Sequence, residues 1–157
     1  MQSLIAFTFL PWSVKIIFGL ISDNVPLLGS RRKSYLLICA FMQFLSMIML
    51  GLTSAEDMPV NAATWMLFFT NLSIAFSDVI VDSLMVIQAR KFPDDGCEEL
   101  TAFSWTSSAI GGLFGSVASA YVNEYYEPQY CFMFESIMGF IIAVVALRMN
   151  VALETEG

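Results

Sequence analysis

The sequence contains no histidine, three cysteines and seven lysines and arginines among 157 residues. Without histidine there is no HExxH helix, no Cys–His zinc site and no Ser–His or Cys–His nucleophile pair. The cysteines, Cys39, Cys97 and Cys131, are widely spaced, so no CxxC pair is available for zinc or thiol exchange. Their odd number argues against a disulfide framework. No glycine-rich phosphate loop and no GxSxG elbow occurs. The chain therefore does not read as an enzyme, and neither a cofactor nor a metal is expected. Cations are sparse as well: beyond Arg31-Arg32-Lys33 there is no basic tract, and the net charge is −7. That leaves no electrostatic footprint for nucleic acid.

Charged residues make up 13% of the chain and apolar ones 57%. A soluble domain usually carries about 25% charged residues, so this surface cannot face water throughout. The mean hydropathy of +0.71 comes from long apolar blocks separated by short polar clusters. A hydrocarbon core about 30 Å thick needs about 20 mostly apolar residues in a helix. Five stretches qualify, at about 2–22, 35–52, 60–88, 101–122 and 131–149. The expected fold class is all-α, with residues 1–157 forming a single polytopic membrane helix bundle in contact with lipid. The connections DNVPLLGSRR, TSAEDMP, KFPDDGCEE and NEYYEPQ are short and rich in turn formers, which makes successive helices antiparallel.

The cations set the orientation. Arg31, Arg32 and Lys33 fall in the first connection, Arg90 and Lys91 in the third, and Arg148 closes the fifth stretch, whereas the second and fourth connections have none. By the positive-inside rule the first and third connections face the cytoplasm. Residue 1 then lies outside, at the head of a span without a cationic leader. Pro11 and Lys15 interrupt that span and no cleavage site follows it, so it is not a signal peptide. The expectation is a fragment of a larger membrane protein, with a preceding span removed.

Ionisable residues inside spans cost at least about 2.5–3.5 kcal/mol each at mid-bilayer. Glu135 lies close enough to the outer interface to reach headgroups. Asp78 and Asp82 are four residues apart, on one helix face and one turn, about 6 Å, from each other. Their mutual repulsion favours a proton on one of them, as a proton- or cation-coupled site requires. Lys15 lies eight residues before Asp23, and Asp82 eight before Arg90. Both side chains are thus about 12 Å from the cytoplasmic face, at the depth where a Lys–Asp pair offsets the burial of both charges. The pair either exchanges partners when a solute arrives or holds two helices together. Asp23 at a helix C-terminus and Arg31-Arg32-Lys33 at a helix N-terminus are each on the wrong side of the helix dipole, which predicts a charge latch among them, with Arg90 as a further candidate. In the fourth stretch Gly111 and Gly115 form GxxxG, and Ser104, Ser108, Gly112 and Ser116 repeat small residues on the adjoining face. Such faces let another helix approach closely.

Three blocks carry a resemblance. PWSVKIIFGLISDNVPLLGSRRKSYL (11–36), DVIVDSLMVIQAR (78–90) and FSWTSSAIGGLFGS (103–116) together resemble the folate–biopterin transporter family of the major facilitator superfamily. The resemblance implies that the five stretches are helices two to six of a twelve-helix transporter, part of its N-terminal half, with the second half missing. It implies that Gly19, Asp23, Arg31, Arg32 and Lys33 correspond to the cytoplasmic gating motif, and that Lys15, Asp78 and Asp82 match polar positions near the central cavity. It further implies proton-coupled carriage of a small solute such as a folate or pterin. Ile16, Ile87-Gln88 and Ser108 depart from the family pattern, which has proline, Glu-Arg and arginine there. The alternative is a degenerate, non-transporting membrane protein that assembles through its small-residue helix face.

Overall fold

The computed structural model describes residues 2–25, 30, 32–54, 58–90 and 96–149. Seven helices follow in order: α1 (Gln2–Thr8), α2 (Leu10–Ser13), α3 (Lys15–Asn24), α4 (Lys33–Leu52), α5 (Val60–Ala89), α6 (Gly96–Tyr125) and α7 (Gln129–Arg148). The first stretch, expected as one helix over 2–22, is instead broken twice. Pro11 has no N–H to continue the ladder. Around it the N–H groups of Trp12, Val14 and Ile17 bond to the carbonyls of Phe9, Pro11 and Val14, three residues back. Phe9 (φ −91°, ψ −3°) and Val14 (φ −105°, ψ 17°) mark the joints. The tighter winding leaves two irregular points in the outer half of an otherwise helical rod.

Helices α4, α5 and α7 are each long and apolar enough to cross a membrane. Helix α6 is as long as α5, and it starts earlier than the expected 101–122. Glu98 and Glu99 in its first turn explain the extension, since carboxylates stabilise a helix N-terminus.

Helices α4 and α7 pack antiparallel along their full length. On α4 the buried residues Leu36, Ala40, Gln43, Met47 and Leu50 recur at spacings of four and three, and α7 answers with Ser136, Gly139 and Ala146. Small residues let the backbones close in. A Cβ at Gly139 would lie 3.0 Å from the Phe44 nitrogen and 3.3 Å from the Ala40 oxygen; one at Gly51 would lie 3.1 Å from the Met133 nitrogen. In lipid, where apolar burial between helices gives little, such backbone-level packing is the main attraction. Near the start of α4 and the end of α7, Tyr35, Leu36, Ile80 and Ala146 form one cluster joining α4, α5 and α7.

The α1–α3 rod lies parallel to α5. Phe7 stacks on Phe68 with ring centroids 4.7 Å apart, and further along Phe18 stacks on Phe76 at 5.1 Å. Residue numbers thus rise together along the two rods, as expected for two spans running in the same direction. Helix α6 differs from its neighbours: Gly96 is its one buried residue, and a Cβ at Gly111, Gly112 or Gly115 would meet nothing within 4 Å. The close packing expected of this glycine face is not made within the described chain. Gly51 and Gly139 of the α4–α7 pair are small residues that do bring helices together.

Candidate functional site

The parallel α3–α5 contact brings Lys15, Asp78 and Asp82 together. Lys15, the first residue of α3, follows the joint at Val14 directly. Its Nζ donates to Asp78 Oδ2 in a short ion pair and reaches Asp82 Oδ2 at 3.4 Å. Counting residues from the cytoplasmic ends matched Lys15 with Asp82; the structure makes Asp78 the closer partner. The reason is side-chain direction. Side chains on a helix lean toward its N-terminus, so the long lysine chain reaches outward by roughly a turn, to the level of the outer aspartate.

One ammonium thus serves two carboxyl groups. The side chains of Lys15, Asp78 and Asp82 are 33%, 43% and 54% exposed. That is open enough for a solute or water to reach all three, unlike a sealed structural pair. An anion can compete for the lysine, and a proton can replace it on either aspartate.

Two residues not singled out beforehand complete the row. Trp12 of α2 donates its Nε1–H to Asn71 Oδ1 at 3.3 Å, and Lys15 Nζ lies 5.9 Å from the centre of the Trp12 ring. Asn71 in turn donates from Nδ2 to the Leu67 carbonyl at 3.0 Å. Asn71, Asp78 and Asp82 stand seven and four residues apart, so they share one stripe of α5. An asparagine in an apolar span, in register with two aspartates, was the available sequence signal.

The end of the bundle where α3 stops and α4 begins is tied separately. Arg32 Nη2 donates to Asp23 Oδ1 at 2.9 Å, with Arg32 largely buried. Tyr35 donates its hydroxyl to the Val25 carbonyl at 3.0 Å. Lys33 turns elsewhere: its Nζ donates to the carbonyls of Leu147 at 2.9 Å and Met149 at 3.0 Å. As the first residue of α4, Lys33 sits beside the C-terminus of antiparallel α7, whose open carbonyls attract a cation. Arg90 is exposed just past the end of α5, and the described ion pair of Asp23 is with Arg32, not Arg90. Gly19 lets α3 approach α5, with a hypothetical Cβ 3.4 Å from Val79 Cγ1. Arg31 lies outside the described residues, as does Lys91 of the topology argument. An apolar hollow of ≈ 400 Å³ opens at the opposite end of the bundle, lined by Leu4, Thr8, Leu50, Leu67 and Phe132 among others; it contains none of the charged residues.

Comparison with known proteins places this geometry in context. The chain matches the BT1 family over residues 1–155. It is 34% identical over 137 residues to the folate-biopterin transporter of Synechocystis sp. (strain ATCC 27184 / PCC 6803 / Kazusa), covering 87% of this chain and 27% of that protein. It is 37% identical over 132 residues to folate transporter 1 of Plasmodium falciparum (isolate 3D7), covering 84% of this chain and 26% of that protein. With folate transporter 2 of the same organism the identity is 28% over 145 residues, or 92% and 31% of the two chains. The chain therefore spans roughly a quarter to a third of the length of these curated relatives. No solved structure matches it.

Proposed function

The chain belongs to the BT1 family, and from that premise we propose that it forms part of one helix bundle of a transporter for folate- or pterin-like solutes. It is an integral, multi-pass membrane protein built of α-helices. In the proposed arrangement the rod α1–α3 and the helices α4, α5, α6 and α7 make five crossings, corresponding to helices two to six of a major facilitator protein. A second bundle in the complete protein closes the pathway, and the solute passes by alternating exposure of a midplane site.

The observation that carries the reading is the Lys15–Asp78–Asp82 cluster: an ammonium shared by two part-exposed carboxylates, at a helix joint deep in an apolar bundle. A purely structural ion pair needs one carboxylate. The second supplies a place for a coupling proton once an anionic solute draws Lys15 away. Asp23 with Arg32 acts as the cytoplasmic latch in this scheme. Gly19 and Arg31 take the remaining gating positions, and Lys33 contributes by holding the end of α7.

The test is uptake of labelled folate and pterin by cells expressing the complete protein under an imposed pH gradient. Wild-type protein is expected to accumulate solute, and Asp82→Asn to lose the pH-driven accumulation while still exchanging solute. Accumulation left intact in Asp82→Asn and in Asp78→Asn would refute proton coupling through this cluster.

One feature favours a second reading. The open Gly111, Gly112 and Gly115 face of α6 suits close approach by another helix, either from the remainder of a transporter or from a different protein in a non-transporting assembly. Cross-linking from Cys substitutions on that face in the complete protein separates the two: an intramolecular product supports the transporter, an intermolecular one the assembly.

A further inference from the structure

Trp12 is not placed as an interfacial anchor. It lies ten residues after Gln2 and twelve before Asn24, the two ends of the α1–α3 rod, so at about 1.5 Å per residue it sits about 15 Å from one end and about 18 Å from the other. That is the middle of a core about 30 Å thick, whereas anchoring tryptophans sit at its edges. Nor does the ring face lipid alone. Its N–H is held by Asn71 and the Lys15 ammonium lies 5.9 Å from its centre, so it belongs to the polar row. Trp12 is nonetheless 40% exposed. It is fixed in orientation at its edge and open over much of its surface.

On the transport reading above, we propose that Trp12 is the platform on which the flat heteroaromatic ring of the solute stacks, with Asn71 as the positioning residue that holds the indole and Lys15 beside it to take an anionic group. An electron-rich indole stacks well on an electron-poor fused ring. The arrangement separates two tasks along one row: recognition of the ring at Trp12 and Asn71, and exchange of charge at Lys15, Asp78 and Asp82.

The experiment measures folate uptake kinetics in the complete protein, normalised to the amount in the membrane, for wild type, Trp12→Leu, Trp12→Phe and Asn71→Ala. Trp12→Leu removes the aromatic face and is expected to raise KM about tenfold, the low-to-middle range for loss of one base–aromatic stack, with the maximal rate within about twofold. Trp12→Phe keeps a face without the N–H and is expected to stay within about threefold of wild-type KM, as is Asn71→Ala. An unchanged KM in Trp12→Leu would overturn the inference, as would a Trp12→Phe protein as impaired as Trp12→Leu, or a fall in rate alone. A wild-type protein that takes up neither folate nor pterin would overturn the transport reading itself and this inference with it.

Discussion

A Cβ placed on Gly139 of α7 would come within 3.0 Å of the Phe44 backbone, whereas one placed on Gly111, Gly112 or Gly115 of α6 would meet nothing within 4 Å. Both helices carry glycine amid apolar residues, yet one uses it for contact and the other presents it. The α4–α7 seam buries small and polar residues along its whole length and is clasped at its end by Lys33. It is the fixed part of the bundle. Helix α6, exposed on nearly all of its residues, is the part whose packing must come from elsewhere. The lesson is that a GxxxG pattern announces the capacity for close packing, not its partner, while an isolated glycine without the pattern can carry the contact.

The largest effect that would break this contrast belongs to the seam. Gly139→Leu forces a side chain against backbone that cannot rotate away, and is expected to cost about 3 kcal/mol, the upper part of the overpacking range. Unfolding in mixed detergent micelles, followed by circular dichroism, reads this; a loss under about 1 kcal/mol would mean the helices are not in backbone contact. Next comes the clasp. Lys33→Met removes a cation from two α7 carbonyls and is expected to lower stability by about 1–2 kcal/mol in the same assay. Lys33→Arg, which retains the charge, should recover most of it. The smallest effect is expected on α6. Gly111→Ala combined with Gly115→Ala should leave this 157-residue chain no less stable, since the new methyl groups meet nothing and alanine has the higher helix propensity. The same pair placed in the complete protein should be felt more strongly, since a helix docked on that face would meet the new methyl groups. A large loss in the 157-residue chain would show that α6 packs internally after all.

What was legible in the sequence follows the same division. Membrane spans and their direction depend on composition and charge along the chain, which is one-dimensional information, and the parallel run of α1–α3 beside α5 agrees with it. The proximity of Lys15 to the aspartates was legible because depth in a membrane can be counted at a fixed rise per residue. The choice of Asp78 over Asp82 was not, because it depends on the lean of a long side chain. Pro11 was visible, but the joint at Val14 was not. Once the proline removes one ladder bond, the neighbouring turns tighten cooperatively, and no single residue at position 14 signals it. Ser136, Gly139 and Ala146 form a small-residue stripe at spacings of three and seven, a weaker signal than the regular four-residue pattern on α6. Trp12 and Asn71 escaped because each is ordinary alone, and their significance comes from facing one another across two helices.

The register of α3 on α5 lets the ammonium touch two acids from one place, although they stand a turn of α5, about 6 Å, apart along the helix. A small swing of the lysine chain is enough to hand the cation from one acid to its neighbour without leaving it bare at any point. Motion at the heart of the bundle would then resemble a pawl moving between two adjacent teeth.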